Sequence, residues 1–91
     1  MNLHIAEETS LLLMKLNAVL NAQLARIQVQ CGEGELDRQR LLFGTAMAGL
    51  LDIANIIYAD HPDLKPVEIG GSYVIPVSAL EEATAFLVKR T

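Results

Sequence analysis

The densest group of residues that could do chemistry lies near the middle of the chain: Tyr58, Asp60, His61 and Asp63. An imidazole beside carboxylates can act as a general base or hold a metal ion. The same residue types, together with Pro62, are also the ordinary composition of a turn at the end of a helix. A metal site needs three or four convergent ligands, and general base catalysis needs a pocket that excludes water. The sequence supplies neither here. We therefore expect a helix-exit turn, with a small-ligand or metal site at this corner as the alternative.

Three further features are weaker candidates for a site of chemistry. His4 and Glu8 stand one helical turn apart, but no neighbouring residue completes a metal site, and we expect a frayed N-terminus. Cys31, the only cysteine, is predicted near a helix C-terminus, where the helix dipole disfavours a thiolate; it is interpreted as a small hydrophobic residue. Gly70-Gly71 lacks the spacing of a phosphate-binding loop. The sequence predicts a protein that is not an enzyme, with no catalytic residue, cofactor or metal.

Charge and cysteine usage restrict the partners and the compartment. The chain has seven Lys and Arg against eleven Asp and Glu, which gives a net charge of −4. The basic residues are scattered, so we expect no nucleic-acid partner, and a DNA-binding regulator is disfavoured. A single cysteine excludes a disulfide scaffold and favours the reducing cytoplasm. The N-terminus has an acidic pair before its first apolar run, unlike a signal peptide. A cytoplasmic location is therefore expected.

One apolar stretch, residues 41–59, approaches the length of a membrane span. It contains Asp52, and a central Asp costs about 2.5–3.5 kcal/mol to insert into a bilayer. At about 100° per residue, Thr45, Asp52 and Asn55 fall in one narrow sector. This pattern favours a bundle helix with one solvated edge, so we expect no membrane association. A buried Asp52–Asn55 pair that fixes helix register is the alternative.

Apolar periodicity predicts three helices and one hairpin in a single helical domain spanning residues 1–91. The first helix begins between Ile5 and Ser10 and ends near Gln30; the second follows the break at 31–34 and ends near Asp60. Residues 67–69 and 72–75 are predicted to be short strands joined by a Gly70-Gly71 turn. A capping box at 78–81 starts the third helix. The fold class is thus mainly α: a three-helix bundle with a short β-hairpin between helices 2 and 3, dimerising through helices.

The first helix is predicted to have two apolar faces. Its larger residues form a core face: Leu12, Leu13, Leu16, Val19, Leu20, Leu24 and Ile27. Its smaller residues form what we call the alanine face: Met14, Ala18, Ala22, Ala25 and Val29. Small side chains allow another helix to approach closely, so the alanine face is a candidate interface. The alternative is that these alanines are simply good helix formers at exposed positions.

The high aliphatic content of the chain is the basis for predicting its function. The chain is 52% hydrophobic and has no tryptophan. A domain of this size buries only about 60–65% of its unfolded surface, so the aliphatic surplus needs a partner surface. The sequence therefore predicts a non-catalytic protein-binding module that acts as a helical homodimer and has a further protein partner of unspecified identity. A small acidic inhibitor, an antiactivator, an immunity-type protein and an adaptor all fit this description.

Overall fold

The computed structural model describes residues 1–77. They form helix α1, Leu3–Cys31, and helix α2, Glu33–Asp60, followed by two 3₁₀ turns, Pro62–Leu64 and Val67–Ile69. Both long helices lie where the sequence predicted them, within a few residues. The predicted third helix, from residue 78 onward, lies outside the described residues.

Helix α1 begins earlier than the apolar pattern indicated. The side-chain oxygen of Asn2 accepts a hydrogen bond from the backbone N–H of Ile5 at 2.9 Å, which satisfies a donor that the helix itself leaves unpaired. The chain is therefore helical from Leu3. The expectation of a frayed N-terminus is wrong, because the capping signal of Asn2 was overlooked.

A single residue, Gly32, separates the two helices. Its φ of 85° lies in the left-handed region, where glycine has no steric penalty from a Cβ atom. The chain reverses there, and α1 and α2 pack side by side in antiparallel directions. The hydroxyl groups of Ser10 and Tyr58, near the far ends of the two helices, lie 2.7 Å apart.

The core lies at the end of the hairpin away from Gly32. It contains buried residues from α1, α2 and the first 3₁₀ turn, with Leu50 and Tyr73 packed against them: Ala6, Leu13, Ala54, Ile57, Tyr58 and Leu64. The predicted core face of α1 is confirmed at Leu13, and it is half-buried at Leu20, Leu24 and Ile27. Leu12 and Leu16 are exposed instead. The centre of the buried face is thus rotated away from these two residues.

Helix α2 was predicted to be a bundle helix with only one solvated edge. Leu36, Ala54, Ile57 and Tyr58 are indeed buried. Five large aliphatic side chains on its remaining surface are exposed to solvent: Leu41, Leu42, Leu51, Ile53 and Ile56. By length and composition alone, α2 is also apolar enough to cross a membrane, a test that core helices of water-soluble proteins pass as well. Its solvated polar edge is present, with Thr45, Asp52 and Asn55 all exposed.

The predicted β-hairpin is wrong. Val67–Ile69 is a 3₁₀ turn, and within residues 1–77 the only β pairing is an isolated parallel bridge between Pro66 and Tyr73. Of the two turn glycines, only Gly70 has a positive φ, 94°, whereas a type I′ turn needs both. The backbone N–H groups of Val67 and Gly71 donate to Tyr73 and Pro66 carbonyls, at 3.0 and 2.8 Å.

The fold class is therefore corrected. Among residues 1–77 the molecule is mainly helical, as predicted, but it has two α-helices and no strand, so a three-helix bundle with a hairpin does not describe it. The alternation of apolar residues around Gly70-Gly71 suggested strands, and local 3₁₀ hydrogen bonds formed instead. A paired hairpin would place Val67, Ile69 and Val74 on one inward face, but all three are at least half exposed.

Candidate interaction surfaces

The four residues of the predicted chemical corner do not converge. Tyr58 is buried, and its hydroxyl is paired with Ser10 at 2.7 Å. Asp60 and Asp63 are both exposed, Asp60 at the end of α2 and Asp63 in the first 3₁₀ turn. In the described part of the chain, no group of three or more His, Cys, Asp and Glu side chains is placed to hold a metal ion.

His61 has a structural contact of its own. Its ring Nε2 lies 3.0 Å from the backbone carbonyl oxygen of Met1, so that the end of α2 meets the start of the chain. The backbone N–H of His61 donates to the carbonyl of Ile57 at 2.7 Å and closes the last turn of α2. This geometry fits the helix-exit turn that the sequence predicted. His4 lies on the exposed surface of α1, and Cys31 is exposed as well, contrary to its interpretation as a packed hydrophobic residue.

A long apolar depression lies on one side of the hairpin, where α1, α2 and the segment 66–75 meet. We call it the groove. Its volume is about 470 Å³. Asn17 and Glu68 are the polar residues among those of the described chain that line it: Leu13, Met14, Asn17, Met47, Ala48, Leu50, Leu51, Ala54, Tyr58, Pro66, Glu68, Ile69 and Ile75.

The alanine face of α1 is divided by the structure. Met14 lines the groove. Ala18 and Ala22 are half-buried, and Ala25 and Val29 are exposed, Val29 by 79%. The fully exposed part of this face therefore consists of Ala25 and Val29. Its role as an interface stays a prediction.

The opposite side of the hairpin carries a different apolar surface. Two residues along an α-helix correspond to a rotation of about 200°, so Leu16 and Ile53 face away from the groove residues Met14 and Leu51. On α2 this side has an apolar or glycine residue at alternating spacings of four and three. We call these positions the outer stripe: Leu42, Ala46, Gly49, Ile53 and Ile56.

The outer stripe is open to solvent. Leu42 and Ile56 are each 66% exposed and Ile53 is 46% exposed. On α1 the neighbouring Ile5, Leu12 and Leu16 are exposed too. Apolar residues cover most of the circumference of α2, so the sequence alone does not show which of them are buried. The signal that separates them is the 4-3 spacing, which defines a second stripe beside the buried residues.

A polar contact joins α1 to the segment after the 3₁₀ turns. The hydroxyl of Tyr73 donates to a carboxylate oxygen of Glu7 at 2.7 Å. Burial, then the hydrogen bond to Glu7 and its negative charge, raises the pKa of Tyr73 to about 12. This hydrogen bond links α1 to the segment 66–75, which contributes part of the groove lining. Sequence reasoning missed this pair because its members lie 66 positions apart.

Comparisons of the chain with protein-family models, with curated proteins and with solved structures found no match.

Proposed function

We propose that this protein is a non-catalytic protein-binding module that acts as a helical homodimer. The observation that supports it best is the set of large aliphatic side chains left in solvent along α2. Contiguous exposed apolar surface is energetically unfavourable in water and is typical of surfaces that bind another macromolecule. The side chains that could do chemistry, by contrast, are scattered or already paired within residues 1–77.

The oligomeric state tests this proposal directly. Light scattering coupled to gel filtration at micromolar concentration should give about 20 kDa, twice the 9.9 kDa of the chain. The mass should fall towards the monomer value on dilution, and the midpoint of thermal unfolding should rise with protein concentration. A mass of about 10 kDa at all concentrations, with a concentration-independent midpoint, would contradict the homodimer.

The role as an inhibitor, antiactivator, immunity-type protein or adaptor is part of the same proposal. A further protein partner would use a surface other than the one that joins the two copies. The groove and the alanine face could serve this purpose, and Met14 belongs to both. Affinity capture with the parent chain and with Met14→Glu should differ in the proteins retained, while the dimer mass stays the same. Identical capture by both chains would contradict a role for this side.

A small-ligand-binding protein is the second candidate, and one observation favours it. The groove volume of about 470 Å³ lies within the range of about 300–1,000 Å³ that is usual for small-molecule pockets. Its lining is almost entirely apolar, so a hydrophobic ligand would be expected, and Tyr58 is the only corner residue that lines it. Titration with a fatty acid should raise the unfolding temperature of the parent and not of Leu51→Glu. An unchanged melting temperature in both would leave this candidate without support.

A further inference from the structure

We propose that two copies of this chain associate through the outer stripe, α2 against α2, in antiparallel directions about a two-fold axis beside Gly49. This inference rests on the proposed homodimer and adds the surface and the orientation. The five positions of the outer stripe alternate in steps of four and three, the spacing of the contact positions between two packed helices. All but the half-buried Gly49 are exposed in the single chain.

Gly49 marks the centre of this surface. A glycine inside a helix destabilises it by about 0.5–1 kcal/mol relative to alanine, so its presence needs a reason. Packing within the described chain does not require a glycine there, because a Cβ atom built on Gly49 would meet no atom of it within 4 Å. The same is true of Gly44, so it is the place of Gly49 in the outer stripe that singles it out. Close approach of a second helix at this point would provide the reason. Leu42 and Ile56 lie seven residues on either side, so an antiparallel copy places each of them against the other.

Charge selects the antiparallel orientation. Arg38 and Asp60 lie eleven residues on either side of Gly49, on the same side of α2 as the outer stripe, and both are exposed. Antiparallel pairing about Gly49 brings Arg38 of one copy to Asp60 of the other at both ends. Parallel pairing would set arginine beside arginine and aspartate beside aspartate, which is unfavourable. Within the chain Arg38 also contacts Glu35 at 3.8 Å, so its side chain has an acidic neighbour already.

One other symmetric arrangement has its two-fold axis parallel to the helices, so that α2 of one copy packs against α1 of the other. Charges on α1 disfavour it. In that packing Asp60 falls within about one helical turn of Glu8, and Arg38 within about one turn of Arg26. Both are like-charge pairs. When α2 packs against α2, the two-fold axis beside Gly49 instead brings Glu8 of one copy towards Arg26 of the other. The favoured arrangement is thus complementary on both helices.

Cysteine cross-linking tests the orientation. In a Cys31→Ser background, Gly49→Cys should form a disulfide-linked dimer on oxidation with copper phenanthroline. Leu42→Cys alone should not, because the two copies of position 42 lie about 21 Å apart in the antiparallel pair and a disulfide needs Cα atoms within about 7 Å. A mixture of the Leu42→Cys and Ile56→Cys chains should cross-link to each other. Cross-linking of Leu42→Cys alone would show a parallel pair and overturn the proposal.

Charge reversal and mass measurements separate this inference from the homodimer itself. Arg38→Asp and Asp60→Arg should each raise the dimer dissociation constant, and the double variant should restore it to within about threefold of the parent. Ile53→Glu should give a folded monomer, and Asn55→Glu, exposed on the same helix but off the stripe, should stay dimeric. If none of these changes alters the dimer dissociation constant, the outer stripe is not the interface, but the homodimer itself is not contradicted. A parent monomer refutes both, and a parent monomer that floats with phosphatidylcholine vesicles assigns the stripe to lipid.

Discussion

The hydroxyl groups of Ser10 and Tyr58 lie 2.7 Å apart inside the core, one on each helix of the hairpin. Both residues are buried, so each hydroxyl depends on the other for its hydrogen bond. Ser10 occupies a core position of α1, between Ala6 and Leu13, where an apolar residue would be expected. The pair therefore fixes the register of α1 against α2, since a slide of one turn would separate the hydroxyls.

This pair leads to a stability prediction. Ser10→Ala should lower the free energy of unfolding by about 1–3 kcal/mol, because it leaves the buried Tyr58 hydroxyl without a partner. Adding Tyr58→Phe should recover part of that loss, since no unpaired polar group then remains. Urea denaturation of the parent, both single variants and the double variant measures this coupling. Strictly additive changes would show that the two hydroxyls do not depend on each other.

The contact between Tyr73 and Glu7 predicts sensitivity to alkaline pH. The pKa of Tyr73 is raised to about 12, above the value of about 10 expected in the unfolded chain. A raised pKa stabilises the fold below pH 10, and this contribution is lost as the pH rises from about 10 to about 12. The thermal unfolding temperature should therefore fall over this window in the parent, and less steeply in Tyr73→Phe. The same slope in both chains would argue against the contact.

The two adjacent glycines should respond differently to alanine. A Cβ atom on Gly71 would overlap the backbone carbonyl of Lys65, whereas one on Gly70 would meet no atom of the described chain within 4 Å. Gly70→Ala should thus cost only about 1 kcal/mol, from its positive φ. Gly71→Ala should destabilise the fold more, because backbone must move. Circular dichroism melting of both variants gives the comparison, and a smaller effect at Gly71 would contradict the close approach.

The helical glycines provide a matched pair for the dimer. At both Gly44 and Gly49, a Cβ atom would meet open space in the single chain. Leucine is a better helix former than glycine, so neither Gly44→Leu nor Gly49→Leu should weaken the isolated hairpin. Gly49→Leu should raise the dimer dissociation constant about tenfold or more by holding the helices apart, a change of about 1.4 kcal/mol. Sedimentation equilibrium compares the two, and an equal effect would place the contact elsewhere.

Sequence reasoning was most accurate where local chemistry determines structure. Gly32 and Pro62 delimit the two helices, and both boundaries were predicted within a few residues because these residues act on their own backbone. The turn at His61 that ends α2 was also predicted correctly. These features need no knowledge of distant contacts.

The errors arose where contacts between residues far apart in the sequence determine the structure. The segment 67–75 has the alternation of a hairpin, yet its conformation is set by hydrogen bonds from Tyr73 to Lys65 and Glu7. The outer stripe of α2 was not distinguished from its buried face because periodicity does not show which side of a helix is covered by the same chain. Ser10 was the one available signal for the hydroxyl pair, as a polar residue at a core position.

The reversal of the chain at Gly32 has a consequence for how the molecule is connected. Only one residue lies between α1 and α2, and its φ of 85° and ψ of 176° are both far from the helical values of about −63° and −42°. If both dihedrals became helical, residues 3–60 would form a continuous rod of about 87 Å. Its α1 half would then be free to pack on the α2 half of another chain. Whether the helices pair within one chain or exchange between two thus depends on the backbone conformation of a single residue.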